Sequence, residues 1–178
     1  MPTYETISDD WFYLLLPKGH TLESFEAEAG AEDREKTRKL LTQMEEELPR
    51  TFKSLGLEFA YSPALLSRID DALDQRTITS WIRRSDPEDV NNDFRLTLSE
   101  LSVYLGNLLV REHGGEWRPA RFPNYFQSSV AVGSLEFHVF DTLMKRCSTD
   151  RSQETLTTKW QLFQAAIDAS RIDPGSIS

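Results

Sequence analysis

The segment of residues 97–114 constrains the fold most strongly, because its leucines recur at the three- and four-residue spacing of one helix face. Its apolar positions are Leu98, Leu101, Leu105, Leu108 and Leu109, with Tyr104 beside them. Thr97 and Glu100 match a capping box, in which the two side chains bind backbone N–H groups at a helix start. Gly114 is typical of a helix end. Since the apolar face is wide, we expect this helix to lie at the centre of the core.

Shorter apolar stripes predict further helices on both sides of this segment. Residues 33–48 form an amphipathic pattern that Pro49 closes, and Ser62-Pro63 is typical of a second helix start. Residues 77–84 either extend that second helix or form a separate one. Beyond the central segment, Leu135 and Phe137 lead into a helix through Cys147, and a last helix covers residues 153–170.

Three stretches rich in aromatic and aliphatic residues have the length of strands: residues 11–16, 116–118 and 125–132. Several helices with a few short strands indicate an α+β fold, here a mainly helical single domain with a small antiparallel sheet. The domain is expected to span residues 1–178, because a chain of this length can bury one sizeable core. Its candidate seam is the polar region near residues 85–95.

The charge distribution indicates what kind of partner the chain can bind. Residues 1–90 hold 19 of the 29 acidic residues but 11 of the 20 basic ones, and the net charge is −9. Direct nucleic-acid binding is disfavoured because no segment supplies a basic footprint. A basic protein partner fits better. The candidate partner-binding residues are Glu23, Glu26, Glu28, Glu32, Asp33, Glu45, Glu46 and Glu47; a merely solvated acidic surface is the alternative.

The sequence offers few signs of membrane insertion, disulfide formation or cofactor binding. The longest apolar run is too short to span a bilayer and no secretory leader is recognisable, so we expect a cytoplasmic protein with no membrane contact. Cys147 is the single cysteine, which excludes an intramolecular disulfide and a multi-cysteine zinc site. No phosphate-binding, dinucleotide or zinc-protease motif occurs. No cofactor and no metal are therefore expected.

The His113-Gly114-Gly115 run raises the question of an oxyanion loop, as in lipases and esterases. Such a loop works with a nucleophile elbow of the G-x-S-x-G type, which this chain lacks. A histidine followed by glycine is also a normal helix end. We therefore assign no catalytic residue here. The alternative is a small enzyme of unknown class, with His138 and Asp141, or His113 and Glu116, as a base and its orienting carboxylate.

Gly106 lies inside the central helix, where glycine costs about 1 kcal/mol relative to alanine. We expect a packed element, or else a ligand, to approach its bare surface closely. The aromatic residues Trp117, Tyr125 and Phe126 either pack in the core or form an exposed binding patch near a turn.

The runs YLGNLLVREHGGEW, SVAVGSLEF and DTLMKRC, within residues 101–160, resemble a pattern of small uncharacterised bacterial proteins. The shared features are a helix with a Leu-Gly pair, a Gly-Gly-x-Trp exit, short strands, and a helix ending in Lys-Arg. Some of these proteins are similar to immunity proteins that neutralise secreted bacterial toxins. The resemblance covers about a third of the chain and implies no catalytic residues.

Taken together, these features predict a non-enzymatic acidic binding protein. Its most concrete form is an immunity protein that neutralises a basic bacterial toxin by direct contact. A small enzyme and a structural adaptor subunit are the competing hypotheses.

Overall fold

A long central helix packs against most other elements of this protein. The computed structural model describes residues 33–84, 93–122, 124–147 and 154–172. Within these residues there are six α-helices: α1 Asp33–Ser54, α2 Leu65–Ala72, α3 Gln75–Arg84, α4 Asp93–His113, α5 Val139–Cys147 and α6 Leu156–Arg171. Three strands lie between α4 and α5: β1 Glu116–Arg118, β2 Ser129–Val132 and β3 Leu135–Phe137. The predicted strand at residues 11–16 and most of the predicted seam lie outside the described residues.

The strands form one antiparallel sheet in the order β1-β2-β3, with Trp117 opposite Val130 and Val130 opposite Phe137. The central strand β2 is buried along its whole length. Gly133, with φ at 59°, supplies the left-handed residue of the tight turn between β2 and β3. The expected mainly helical α+β fold with a small antiparallel sheet is confirmed.

One predicted strand was wrong in part and one strand was not predicted. Residues Tyr125–Gln127 form a 3-10 helix, because the Tyr125 side chain turns inward and packs edge-on against the Phe140 ring. Residues Leu135–Phe137 lead into a helix as expected, since α5 begins at Val139, but they also pair with β2 as β3, which the sequence reasoning did not predict.

The central position of α4 is confirmed, since every residue from 101 to 109 is buried. α1, α3, α5 and the sheet all pack against it. Its buried hydroxyls have local partners: Ser102 Oγ donates to the Leu98 carbonyl at 2.7 Å, and Ser99 Oγ lies 3.3 Å from the Tyr125 hydroxyl. The helix ends as predicted at Gly114, whose φ is 68° and whose N–H donates to the Val110 carbonyl.

Two helix ends differ from the predictions. α1 continues through Pro49 to Ser54, because Leu48 and Phe52 on either side are fully buried and their packing offsets the hydrogen bond that proline removes. α4 begins at Asp93, so Thr97 and Glu100 are not a capping box. The Glu100 carboxylate contacts the Thr51 hydroxyl of α1 instead of turning back along its own helix.

A buried ion pair connects α2 to two helices that lie far from it in the sequence. Arg146 Nε of α5 donates to the Asp70 carboxylate of α2 at 2.9 Å, with both side chains less than a tenth exposed. The same carboxylate accepts the backbone N–H groups of Leu156 and Thr157 at the start of α6. Asp70 therefore caps α6 from another helix and neutralises a buried guanidinium.

Replacing Asp70 by alanine is expected to lower the free energy of unfolding by about 3–5 kcal/mol, because it leaves Arg146 buried without its counter-ion. Urea denaturation measures the change. The matched control is Asp71→Ala, which removes the same charge from the exposed neighbouring position and should cost less than about 0.5 kcal/mol. Equal losses in the two variants would show that the pair is dispensable.

Candidate binding cleft beside the central helix

A cleft of about 450 Å³ lies where α1 and α3 pack against the first half of α4. This volume falls in the range of small-ligand sites. Arg50 and Thr51 of α1 line one side, Trp81 of α3 lies across from them, and α4 contributes Asp93, Leu96 and Glu100. The cleft thus joins charged groups with apolar surface.

Glu100 is the deepest charged group of the cleft, with only 7% of its surface exposed. The hydroxyl of Thr51, itself 5% exposed, donates a hydrogen bond to Oε2 of the carboxylate. The Thr51 hydroxyl also lies 3.2 Å from the Glu47 carbonyl. Because a hydroxyl has one proton, it donates to Glu100 when that carboxylate is ionised. When Glu100 is protonated, the carboxyl O–H donates to Thr51 and Thr51 donates to Glu47.

The surroundings of Glu100 disfavour its negative charge. Burial raises the pKa of Glu100 above the ordinary glutamate value, and the charge of Glu47 raises it further, whereas the Thr51 hydroxyl and Arg50 lower it. Arg50 is mostly exposed, and its Nε lies 3.0 Å from the Glu47 carboxylate. The guanidinium at the rim is therefore already paired, and it does not form an ion pair with Glu100.

The other walls of the cleft are an aromatic ring, an aliphatic side chain and a second carboxylate. Trp81 and Leu96 are half-buried, while Asp93 is exposed. Asp93 and Glu100 are seven residues apart on α4, which places them on one helix face and about 10 Å apart along the axis. A ligand in the cleft would meet a carboxylate at the mouth, apolar surface along the side and a carboxylate at the floor.

Of the acidic residues predicted as a partner-binding set, the three glutamates on the described part of α1 do not share one face. Glu45, Glu46 and Glu47 follow one another on α1, so they point in different directions. Glu45 accepts a hydrogen bond from the Tyr61 hydroxyl at 2.8 Å and Glu47 pairs with Arg50, whereas Glu46 is exposed. α1 begins at Asp33. Glu23, Glu26, Glu28 and Glu32 lie outside the described residues.

The sequence reasoning missed Glu100 because its spacing from Thr97 suggested a cap. A usable signal was present, since Glu100 is a charged residue directly before Leu101 and two positions after Leu98 in the most apolar helix. A carboxylate in such a position is bound to lie at the edge of the core or inside it.

The Gly-Gly-x-Trp sequence after α4 connects this helix to the sheet through side-chain hydrogen bonds. The Trp117 indole N–H donates to Asn107 Oδ1 at 2.8 Å, and Asn107 Nδ2 donates to the Tyr61 hydroxyl at 3.0 Å. The Tyr61 hydroxyl in turn donates to Glu45, and the Arg111 guanidinium lies over the Tyr61 ring. Burial is the main cause that raises the pKa of Tyr61 to about 12, which keeps its hydroxyl protonated as a donor.

The close approach expected at Gly106 is confirmed, and the element that approaches is a side chain. A Cβ atom on Gly106 would lie 2.2 Å from Cζ2 of the Trp117 ring. Trp117 and Tyr125 both pack with the core, and Phe126 is partly buried against it. These residues therefore do not form the exposed aromatic patch.

The structure does not assemble either predicted histidine pair into a site. His138 and Asp141 are both exposed, and the Asp141 carboxylate binds Lys145 Nζ at 2.8 Å. His113 packs against the Trp160 ring, while Glu116 is exposed on the edge strand β1. Among the described residues, no hydrogen bond joins His138 to Asp141 or His113 to Glu116. The geometry gives neither histidine an orienting carboxylate.

Within the described residues, the cysteine thiol and the potential metal ligands also do not form a reactive site. Cys147 is buried, and burial raises the pKa of its thiol to about 12, so it is not a reactive thiolate. No cluster of three or more potential metal ligands occurs within the described ranges. The helices of the described part include none long and apolar enough to cross a membrane.

Comparison with known proteins gives no match: no family model fits the chain, and neither curated proteins nor solved structures yield a similar one.

Replacing Gly106 by alanine is expected to destabilise the protein by about 1–3 kcal/mol, because the new methyl group overlaps the rigid Trp117 ring. This loss should outweigh the gain of about 1 kcal/mol in helix propensity. In a Trp117→Phe background, which removes the overlapping ring atoms, the same alanine should be neutral or stabilising. A thermodynamic cycle over the four proteins measures the coupling. A coupling near zero would contradict the packing explanation.

Replacing Glu100 by glutamine is expected to remove a pH dependence of stability. Because the pKa of Glu100 is raised in the folded state, its contribution to stability is fully present at low pH and is lost as the pH rises through the folded-state pKa. Glu100→Gln should therefore gain stability relative to wild type as the pH rises, measured by urea denaturation at a series of pH values. Glu46→Gln, at an exposed position, is the control for the change in net charge. If the wild type instead became more stable relative to Glu100→Gln as the pH rises, the raised pKa of Glu100 would be refuted.

Proposed function

We propose that the chain is a non-enzymatic acidic binding protein that docks on a basic partner protein, with the cleft around Glu100 at the centre of the contact. The observation that supports this most is the Glu100 carboxylate at the floor of the cleft. Of the described side chains, Thr51 alone donates a hydrogen bond to it. A carboxylate has about four acceptor sites, so a cationic group of a partner would satisfy what the fold leaves open.

The charge of the chain supports the same proposal. The net charge of −9 favours encounter with a positively charged partner, and the exposed Asp93 places one of the carboxylates at the mouth of the cleft. Among the described lining residues Arg50 is the one cation, and it is paired with Glu47.

The concrete form that we propose is an immunity-type protein of the cytoplasm, which blocks a basic toxin by direct contact. The sequence resemblance over residues 101–160 motivates this form. The cleft supports direct binding to such a toxin, because a buried carboxylate beside an aromatic ring can anchor a basic residue of the toxin.

The test is capture of a partner from source-cell lysate on immobilised protein at low salt. We expect a basic protein that elutes at high salt, is retained by wild type and by Asp168→Asn, and is lost with Glu100→Gln. Asp168 is an exposed acidic residue of α6, outside the cleft. Expressing the captured protein with and without this chain then shows whether growth is rescued. Capture that is indifferent to salt and to Glu100 would exclude the proposed contact.

A further inference from the structure

We infer that the cleft receives one lysine side chain of the partner, with its ammonium group on Glu100 and its aliphatic stem between Trp81 and Leu96. This inference rests on the proposed function, because it names the group by which the basic partner would enter the cleft. The inference specifies that the basic side chain entering the cleft is a lysine and not an arginine, a choice that the net charge alone does not make.

The preference for an ammonium group follows from the hydrogen bond that Glu100 already accepts. The Thr51 hydroxyl donates to Oε2, so Oε1 is the oxygen that accepts no hydrogen bond from the described side chains. A guanidinium binds a carboxylate best through two parallel N–H donors, one on each oxygen, so one of them would have to share Oε2 with the Thr51 hydroxyl. An ammonium group is a compact point charge that binds well to a single oxygen.

The walls of the cleft match the stem of a lysine. Trp81 and Leu96 are half-buried, so each has apolar surface facing solvent beside the carboxylate. Four methylene groups cover such surface while the charged end reaches a polar partner. The Trp81 ring also attracts a cation that passes over its face.

The charged groups around the cleft direct a cation toward its floor. The Asp93 carboxylate at the mouth attracts it. Arg50 is the opposing charge, and its guanidinium is held by Glu47 at 3.0 Å. Glu100 is therefore the buried carboxylate of the cleft whose charge a bound cation can neutralise.

The test is a titration of the full chain with Nα-acetyl-lysine methylamide and with Nα-acetyl-arginine methylamide, followed by NMR at the Trp81 indole N–H. We expect the lysine compound to bind about tenfold more tightly than the arginine compound, and its Nε-acetylated form to give no shift. Glu100→Gln should abolish the lysine response, whereas Asp168→Asn should leave it unchanged.

A second pair of variants tests the reason for the preference. Thr51→Val removes the hydroxyl that donates to Oε2, so it should move the preference toward the arginine compound. Thr51→Ser keeps the hydroxyl and should keep the lysine preference. Equal or tighter binding of the arginine compound to wild type, or a Thr51→Val variant with unchanged preference, would overturn the inference.

The captured partner separates this inference from the proposed function. If a basic protein binds in a Glu100-dependent manner but tolerates lysine-to-arginine replacements throughout its contact surface, only the lysine inference fails. If no basic protein is captured, the proposed function fails as well.

Discussion

The burial of α4, which is complete from residue 101 to residue 109, is the constraint on which the rest of the structure depends. A helix in this position cannot leave a polar side chain without a partner, since an unsatisfied buried group costs about 1–3 kcal/mol. Ser99, Ser102 and Asn107 meet this requirement through tyrosine, backbone and tryptophan partners. Glu100 meets it only in part, through a single hydroxyl of α1. The same constraint that organises the core is therefore met incompletely at the cleft.

Local sequence patterns predicted the helices well where packing and propensity agree. The leucine spacing of α4 and the glycine at its end identified both the element and its central position. The errors lie where a distant contact overrides a local rule. Pro49 does not end α1 because Leu48 and Phe52 are held in the core, and Tyr125 does not continue a strand because its ring packs on Phe140. Neither contact is visible in a window of neighbouring residues.

The candidate site was less predictable than the fold. Counting acidic residues pointed to residues 23–33 and to Glu45–Glu47, and within the second group Glu45 and Glu47 already have Tyr61 and Arg50 as partners. The carboxylate that faces the cleft sits among leucines, where a pattern search assigns it a capping role. Whether a charge is available to a ligand depends on its neighbours in space, and the hydrogen-bond partner of Glu100 comes from α1, 49 residues away in the sequence.

The cap that Asp70 supplies to α6 has a consequence for the order of folding. The capping carboxylate and the backbone groups it accepts are 86 and 87 residues apart in the chain. Closing so long a loop carries an entropic cost that must be met before the contact stabilises anything. The first turn of α6 therefore has this cap only when α2 is docked against it, so the last described helix depends on a residue far earlier in the chain.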